Sequence, residues 1–204
     1  MLKAAKPTVF LAALVPLALL VFKVLTGRTS ANPAEDIILT TGIWTFRFLL
    51  VTLAITPLRR LTGWNRLIQF RRMLGLFAFF YACLHMASYV TFDRFFAFDE
   101  ILADVAKRPF ITAGMAAFVL MIPLAVTSTK GWIRRLGRRW QVLHRLVYVS
   151  AIAAAVHFIW KVKVVIGEPI YYAAVLAVLL GFRLVWHLAT ARRAGLPARR
   201  PAVR

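Results

Sequence analysis

Cysteine and acid are what this chain has least of. Its one cysteine, Cys83, lies inside an apolar stretch, so there is no intrachain disulfide and no CxxC zinc or redox motif. Seven Asp and Glu stand against 27 Lys and Arg, and no acid falls inside an apolar run. That absence argues against a carboxylate proton relay and against most cation-coupled transporters, which need ionisable groups within the membrane. No helix carries HExxH or GxSxG, none offers a paired-carboxylate site, and no loop is long enough to read as a nucleotide-binding fold.

What is present is hydrophobic length. Apolar residues make up 61% of the 204, and mean hydropathy is +0.74, well above a soluble domain. Six apolar segments stand out, at 8–25, 37–57, 73–92, 109–127, 142–160 and 170–190, each near the length that crosses a bilayer. The expected fold is all-α, an integral membrane bundle of six transmembrane helices. Residues 1–190 form one domain and 191–204 a basic tail. Pro57 closes the second segment, Pro109 opens the fourth, and Gly167 with Pro169 precede the sixth. Pro16 and Pro123 lie inside helices and predict kinks. The N-terminal run follows lysines as a signal peptide does. It is long, contains Pro16 and lacks a small-x-small site before Lys23, so it reads as a retained first helix. No internal repeat is clear enough to support a duplicated transporter.

Charge gives the orientation. Lys3 and Lys6 precede the first helix, and Arg59, Arg60, Arg66, Arg71 and Arg72 follow the second. Lys130, Arg134, Arg135, Arg138, Arg139 and Arg145 surround the loop after the fourth, and Arg192, Arg193, Arg199, Arg200 and Arg204 fill the tail. With six spans all of these share one side. The opposite loops hold every acid and few cations, among them Arg94, Arg108, Lys161 and Lys163. The positive-inside rule then places both termini in the cytoplasm. The net charge of +20 is a topology signal and an anionic-lipid contact rather than a nucleic-acid surface.

The chemistry gathers in residues 138–160, RRWQVLHRLVYVSAIAAAVHFIW, with His144 and His157. A helix would separate the two by about 20 Å, near opposite edges of a hydrocarbon core of about 30 Å. His85 on the third helix and His157 on the fifth fall in the same outer half, while His144 and His187 lie at the inner edge. A six-coordinate heme needs two axial ligands from facing helices at matching depth and an apolar slot. His85 and His157 meet the depth condition, and Ala82, Ala87, Ser88, Ala153, Ala154 and Ala155 are small enough to admit a flat macrocycle. The alternatives are that each histidine hydrogen-bonds a neighbouring helix and that AIAAA is ordinary small-residue packing. His144 is a candidate ligand of a second heme. On a straight helix it would point about 140° away from His157, and its partner is open, with His187 at comparable depth. Arg47 and Arg183 lie inside apolar spans, where each needs an anion such as a propionate or phosphate, or a helix-end carbonyl. Arg71 and Arg72 suit a quinone carbonyl or flavin phosphate, or serve as positive-inside anchors.

The phrases RRMLGLFAFFYACLHMASY (71–89), RPFITAG (108–114), TSTKGWIRRLGRRWQVLHRLVY (127–148) and HFIW (157–160) resemble the MsrQ family, formerly YedZ. That family belongs to the ferric-reductase-like transmembrane group, with NADPH oxidases and STEAP proteins. The resemblance runs from the second helix through the fifth. It implies a multi-pass b-type cytochrome of the bacterial inner membrane with one heme b or two, and FMN as a further cofactor. Electrons would come from the quinone pool or a cytosolic flavin reductase and pass to MsrP, a periplasmic molybdopterin enzyme that reduces methionine sulfoxide in proteins. The heme histidines of the family fall on His85, His144 and His157, and Arg71 and Arg72 match residues tied to the inner cofactor site. Arg71 stands where the wider group carries a second histidine on the third helix. His187 has no counterpart.

The expected function is a heme-binding electron conduit without its own substrate site. Quinol would be oxidised near the arginine-rich face, and electrons would leave through the outer loops, with the acidic 93–104 segment as one exit. The rival readings are a permease whose histidines hold a free metal ion and a heme-free membrane anchor.

Overall fold

Helices form where the apolar runs lie. The computed structural model describes residues 2–162 and 167–195, and every regular element among them is helical. In order they are α1 (Leu2–Leu25), α2 (Pro33–Thr62), α3 (Ile68–Ser88), α4 (Phe98–Lys107), α5 (Pro109–Val126), α6 (Lys130–Leu136), α7 (Arg138–Leu143), α8 (Leu146–Lys161) and α9 (Glu168–Gly195). A 3₁₀ turn, Asn65–Leu67, leads into α3, and a π-helical turn, Tyr89–Asp93, ends it. Six helical stretches are long and apolar enough to cross a membrane, built from α1, α2, α3 with its two turns, α5, α7 joined to α8, and α9. Large apolar side chains such as Leu11, Leu19, Val119 and Val178 stay exposed along them. In water that would be a failed core; in a bilayer it is the lipid-facing belt.

Local chemistry sets the ends. Asn32 caps α2 by accepting the Glu35 amide at 3.3 Å, Pro33 takes the first turn, and Gly63 closes the helix at φ 70°. Pro57 does not end α2, contrary to the sequence expectation. Its missing N–H frees the Leu53 carbonyl, and Arg183 of α9 donates to that oxygen at 2.6 Å. In α1 a side chain intercepts the backbone one residue past Pro16. The Tyr81 hydroxyl of α3 sits between Leu17 and Ala13, accepting from the Leu17 amide at 3.1 Å and donating to the Ala13 carbonyl at 2.9 Å.

Two antiparallel hairpins make the frame, α2 against α3 and α5 against α8, with α9 packed on α2 and α8 and α1 on α2 and α3. Their shared core combines aromatic and very small side chains. Phe48 stacks on both Phe77 and Tyr81, while Ala78, Ser150 and Ala151 are fully buried. Ser150 donates to the Ala117 carbonyl across the α5–α8 contact at 2.9 Å, the close approach that small residues allow.

Two stretches take shape only in the structure. The acidic loop after the third span carries α4. The fifth span is not one straight helix, because the α-helical run stops at Leu143 and restarts at Leu146. At the C-terminal end α9 reaches Gly195, past residue 190; tail residues 196–204 and Lys163 lie outside the described residues.

Candidate functional site

The bundle brings His85 of α3 and His157 of α8 together, edge to face. Their ring centroids are 6.1 Å apart and their planes meet at 73°. The Nδ1 of His85 lies 2.9 Å from the Ile38 carbonyl oxygen, and that of His157 lies 2.7 Å from the Phe110 carbonyl oxygen. A carbonyl can only accept, so Nδ1 carries the proton in both rings and Nε2 keeps its lone pair. Metal-ligating histidines are commonly oriented in this way by a partner on the other nitrogen.

A cavity of about 490 Å³ surrounds the pair, lined by Phe46, Ala82, Phe118, Met121, Ala154 and Phe158 and by backbone-exposing Gly42 and Gly114. Polar groups gather at its acidic end, where Glu35, Asp93, Arg108 and Lys161 form part of the wall. A six-coordinate heme is a testable guest for this space. His85 and His157 would hold it from opposite sides. The free Nε2 atoms and the apolar walls fit. A free metal ion fits less well: among the described residues no three His, Cys, Asp or Glu side chains converge.

The arginine-rich end holds a second, different cluster. His144, in the break between α7 and α8, stacks on Trp140 at 3.8 Å, with Nδ1 3.1 Å from the Trp140 carbonyl oxygen. Its Nε2 is buried and makes no hydrogen bond of good geometry. Arg71 lies in the first turn of α3, at the same arginine-rich end of the bundle. Arg183 donates to the Tyr148 hydroxyl at 2.9 Å as well as to Leu53, while its Nε is buried and unpaired. His144 and Arg183 thus leave donor-capable nitrogens buried at the arginine-rich end of the bundle.

Arg72 is not part of that cluster. It lines a separate lipid-facing groove between α1 and α3, of about 640 Å³, with Lys6, Lys130, Phe10, Leu76 and Phe80. The structure thus separates two arginines that sequence adjacency had grouped. Arg47 finds its partners within the protein, donating from Nε to the Tyr172 hydroxyl at 2.7 Å, with its guanidinium 4.8 Å from the Trp44 ring centre. His187 is exposed on α9.

Sequence reasoning placed the histidines but missed what seats them: the Ile38 and Phe110 carbonyls and the glycines beside them. A signal was available in the spacing, since each histidine follows its carbonyl by 47 residues. Tyr148 and Tyr172, the arginine partners, carried no such mark.

Residues 41–155 match the family described as ferric reductase like transmembrane component. Three curated relatives named protein-methionine-sulfoxide reductase heme-binding subunit MsrQ align over most of the chain. That of Herminiimonas arsenicoxydans is 55% identical over 89% of this chain and 84% of its own. That of Xanthomonas euvesicatoria is 52% identical over 93% and 89%, and that of Ralstonia nicotianae 52% over 96% and 91%. No solved structure gives a significant match.

Proposed function

The chain belongs to the MsrQ family of the ferric-reductase-like transmembrane group, and from that premise we propose that it is the b-type cytochrome subunit that feeds electrons to a methionine sulfoxide reductase. The observation that carries the reading is the facing pair His85 and His157, each held at Nδ1 by a carbonyl and each presenting Nε2 to one cavity. These two would supply the axial ligands of a heme b, and the bound iron would supply one-electron redox chemistry. Phe46, Phe118 and Phe158 would exclude water from the ring, and Arg108 and Lys161 at the rim are the cations within reach of its carboxylates.

The half-reactions set what the chain must handle. A quinol gives two electrons and two protons; a methionine sulfoxide takes two electrons and two protons to yield methionine and water. The donor side belongs at the arginine-rich end, where His144, Arg71 and Arg183 would hold the inner cofactor, a second heme or an FMN phosphate. Quinone or a flavin reductase would be the source, and Arg72 lies at the lipid-facing groove beside it. The acceptor is an MsrP-like molybdopterin enzyme in the periplasm, reached from the acidic end of a chain set in the bacterial inner membrane with both termini cytoplasmic.

A reduced-minus-oxidised spectrum of the detergent-purified protein, with pyridine hemochrome quantitation, tests this directly. A sharp b-type α-band at one or two hemes per chain is expected. His85→Ala and His157→Ala should each abolish the outer heme, because one missing axial ligand leaves iron under-coordinated, while His187→Ala changes nothing. Wild-type heme content and spectra in both outer variants would sink the assignment.

A further inference from the structure

The site is built twice from the same parts. Residues 38, 42 and 85 on the α2–α3 hairpin recur 72 positions later as 110, 114 and 157 on the α5–α8 hairpin. In each half a carbonyl accepts from the histidine ring 47 residues downstream, at 2.9 and 2.7 Å. In each half a glycine follows one turn after that carbonyl: Gly42 after Ile38 and Gly114 after Phe110. The same offset pairs Phe46 with Phe118 and Ala82 with Ala154 on the cavity wall, while most other positions of the two hairpins differ.

The glycines are not there for a turn. Both lie inside helices without positive φ, where glycine is destabilising by about 1 kcal/mol relative to alanine. What they provide is a notch. A Cβ on Gly42 would stand 2.9 Å from Cε1 and 3.0 Å from Nδ1 of His85. On Gly114 it would stand 2.6 Å from Nδ1 and 2.9 Å from Cε1 of His157. Neither ring can retreat while it keeps its carbonyl, since histidine has two rotatable bonds and its Nδ1 is pinned. Two other helical glycines make the contrast. A Cβ on Gly75 would meet Thr52 at an ordinary 3.6 Å, and one on Gly181 would meet nothing within 4 Å.

We infer that Gly42 and Gly114 are positioning residues, a repeated notch that seats each histidine against the opposite helix and so fixes the separation of the two Nε2 atoms. A methyl group in either notch pushes the ring off its carbonyl and into the cavity, away from the geometry that two axial ligands require. The inference rests on the reading of His85 and His157 as axial ligands.

The test uses the full chain in detergent with Gly42→Ala, Gly114→Ala, Gly75→Ala and Gly181→Ala, beside His85→Ala and His157→Ala. Heme per chain, the low-spin electron paramagnetic resonance signal and the midpoint potential are read for each. Gly42→Ala and Gly114→Ala are expected to lose most of the outer heme or to keep it with a displaced low-spin signal and potential; the other two glycine variants match wild type. If both histidine variants keep wild-type heme, the ligand reading itself fails. If they lose it while Gly42→Ala and Gly114→Ala match wild type in all three readouts, the notch alone is overturned. Imidazole rescue separates positioning from collapse of the bundle. Free imidazole should restore a low-spin spectrum to His85→Gly and equally to His85→Gly combined with Gly42→Ala, because an untethered ring does not need the notch. Rescue of the first without the second would show that Gly42 only packs the helices, and would overturn the proposal.

Discussion

At the residue scale the recurring device is a side chain that meets backbone groups inside the bilayer. Histidine does it at Ile38 and Phe110, arginine at Leu53, and tyrosine at Ala13 and Leu17. With no water to take these bonds, each interception determines where a helix sits. Tyr81 is the clearest case, because its hydroxyl is the bridge across the Pro16 distortion of α1 and the residue is only 1% exposed. Tyr81→Phe keeps the stacking on Phe48 and leaves two backbone groups short of a partner. It should lower stability by about 1–3 kcal/mol, read as a fall in the thermal unfolding midpoint in detergent, with heme content retained. An unchanged midpoint would mean that α1 closes the Ala13–Leu17 hydrogen bond by itself.

At the element scale the connection between α3 and α5 is the most unusual part of the chain. Asp104, buried on α4, accepts from the Tyr89 hydroxyl at 2.8 Å and pairs with Arg94 at 2.5 Å and Arg108 at 3.1 Å. That cluster clamps a turn in which Phe95 and Phe96 both take positive φ, 46° and 61°, a conformation costly for bulky residues. The strain is held by the ion pairs while Phe95, Phe96 and Phe98 face outward. Asp104→Asn should release it, since breaking a buried pair costs roughly 3 kcal/mol or more. Limited trypsin digestion at Arg94 and Lys107 should then be faster by at least an order of magnitude, with the heme spectrum unchanged. Equal digestion rates would place the restraint elsewhere. The broken fifth span shows the same limit of sequence reading. A continuous helix would leave His144 about 140° from the face of His157; the interruption between α7 and α8 makes that straight-helix figure inapplicable.

At the scale of the whole molecule, one end of the bundle is crowded with arginine and the other holds the acids, so the positive-inside expectation is simple to check. A C-terminal green fluorescent protein fusion should be fluorescent and a C-terminal alkaline phosphatase fusion inactive; the reverse pattern would invert the chain and with it the proposed direction of electron flow. The sequence by itself determined the class: apolar runs of bilayer length can only be helices there, and their number and flanking charges follow from solvation and membrane potential without knowledge of packing. It also determined that His85 and His157 share a depth, because depth along a helix is a linear count. What it did not hold was rotation and neighbourhood. That Arg72 lines a groove against α1, that Pro57 leaves a carbonyl for Arg183, and that Gly42 and Gly114 open space for two rings all depend on which helix faces which. Facing is decided by the joint packing of several helices. A pattern written along one chain carries depth, but only the folded bundle carries angle.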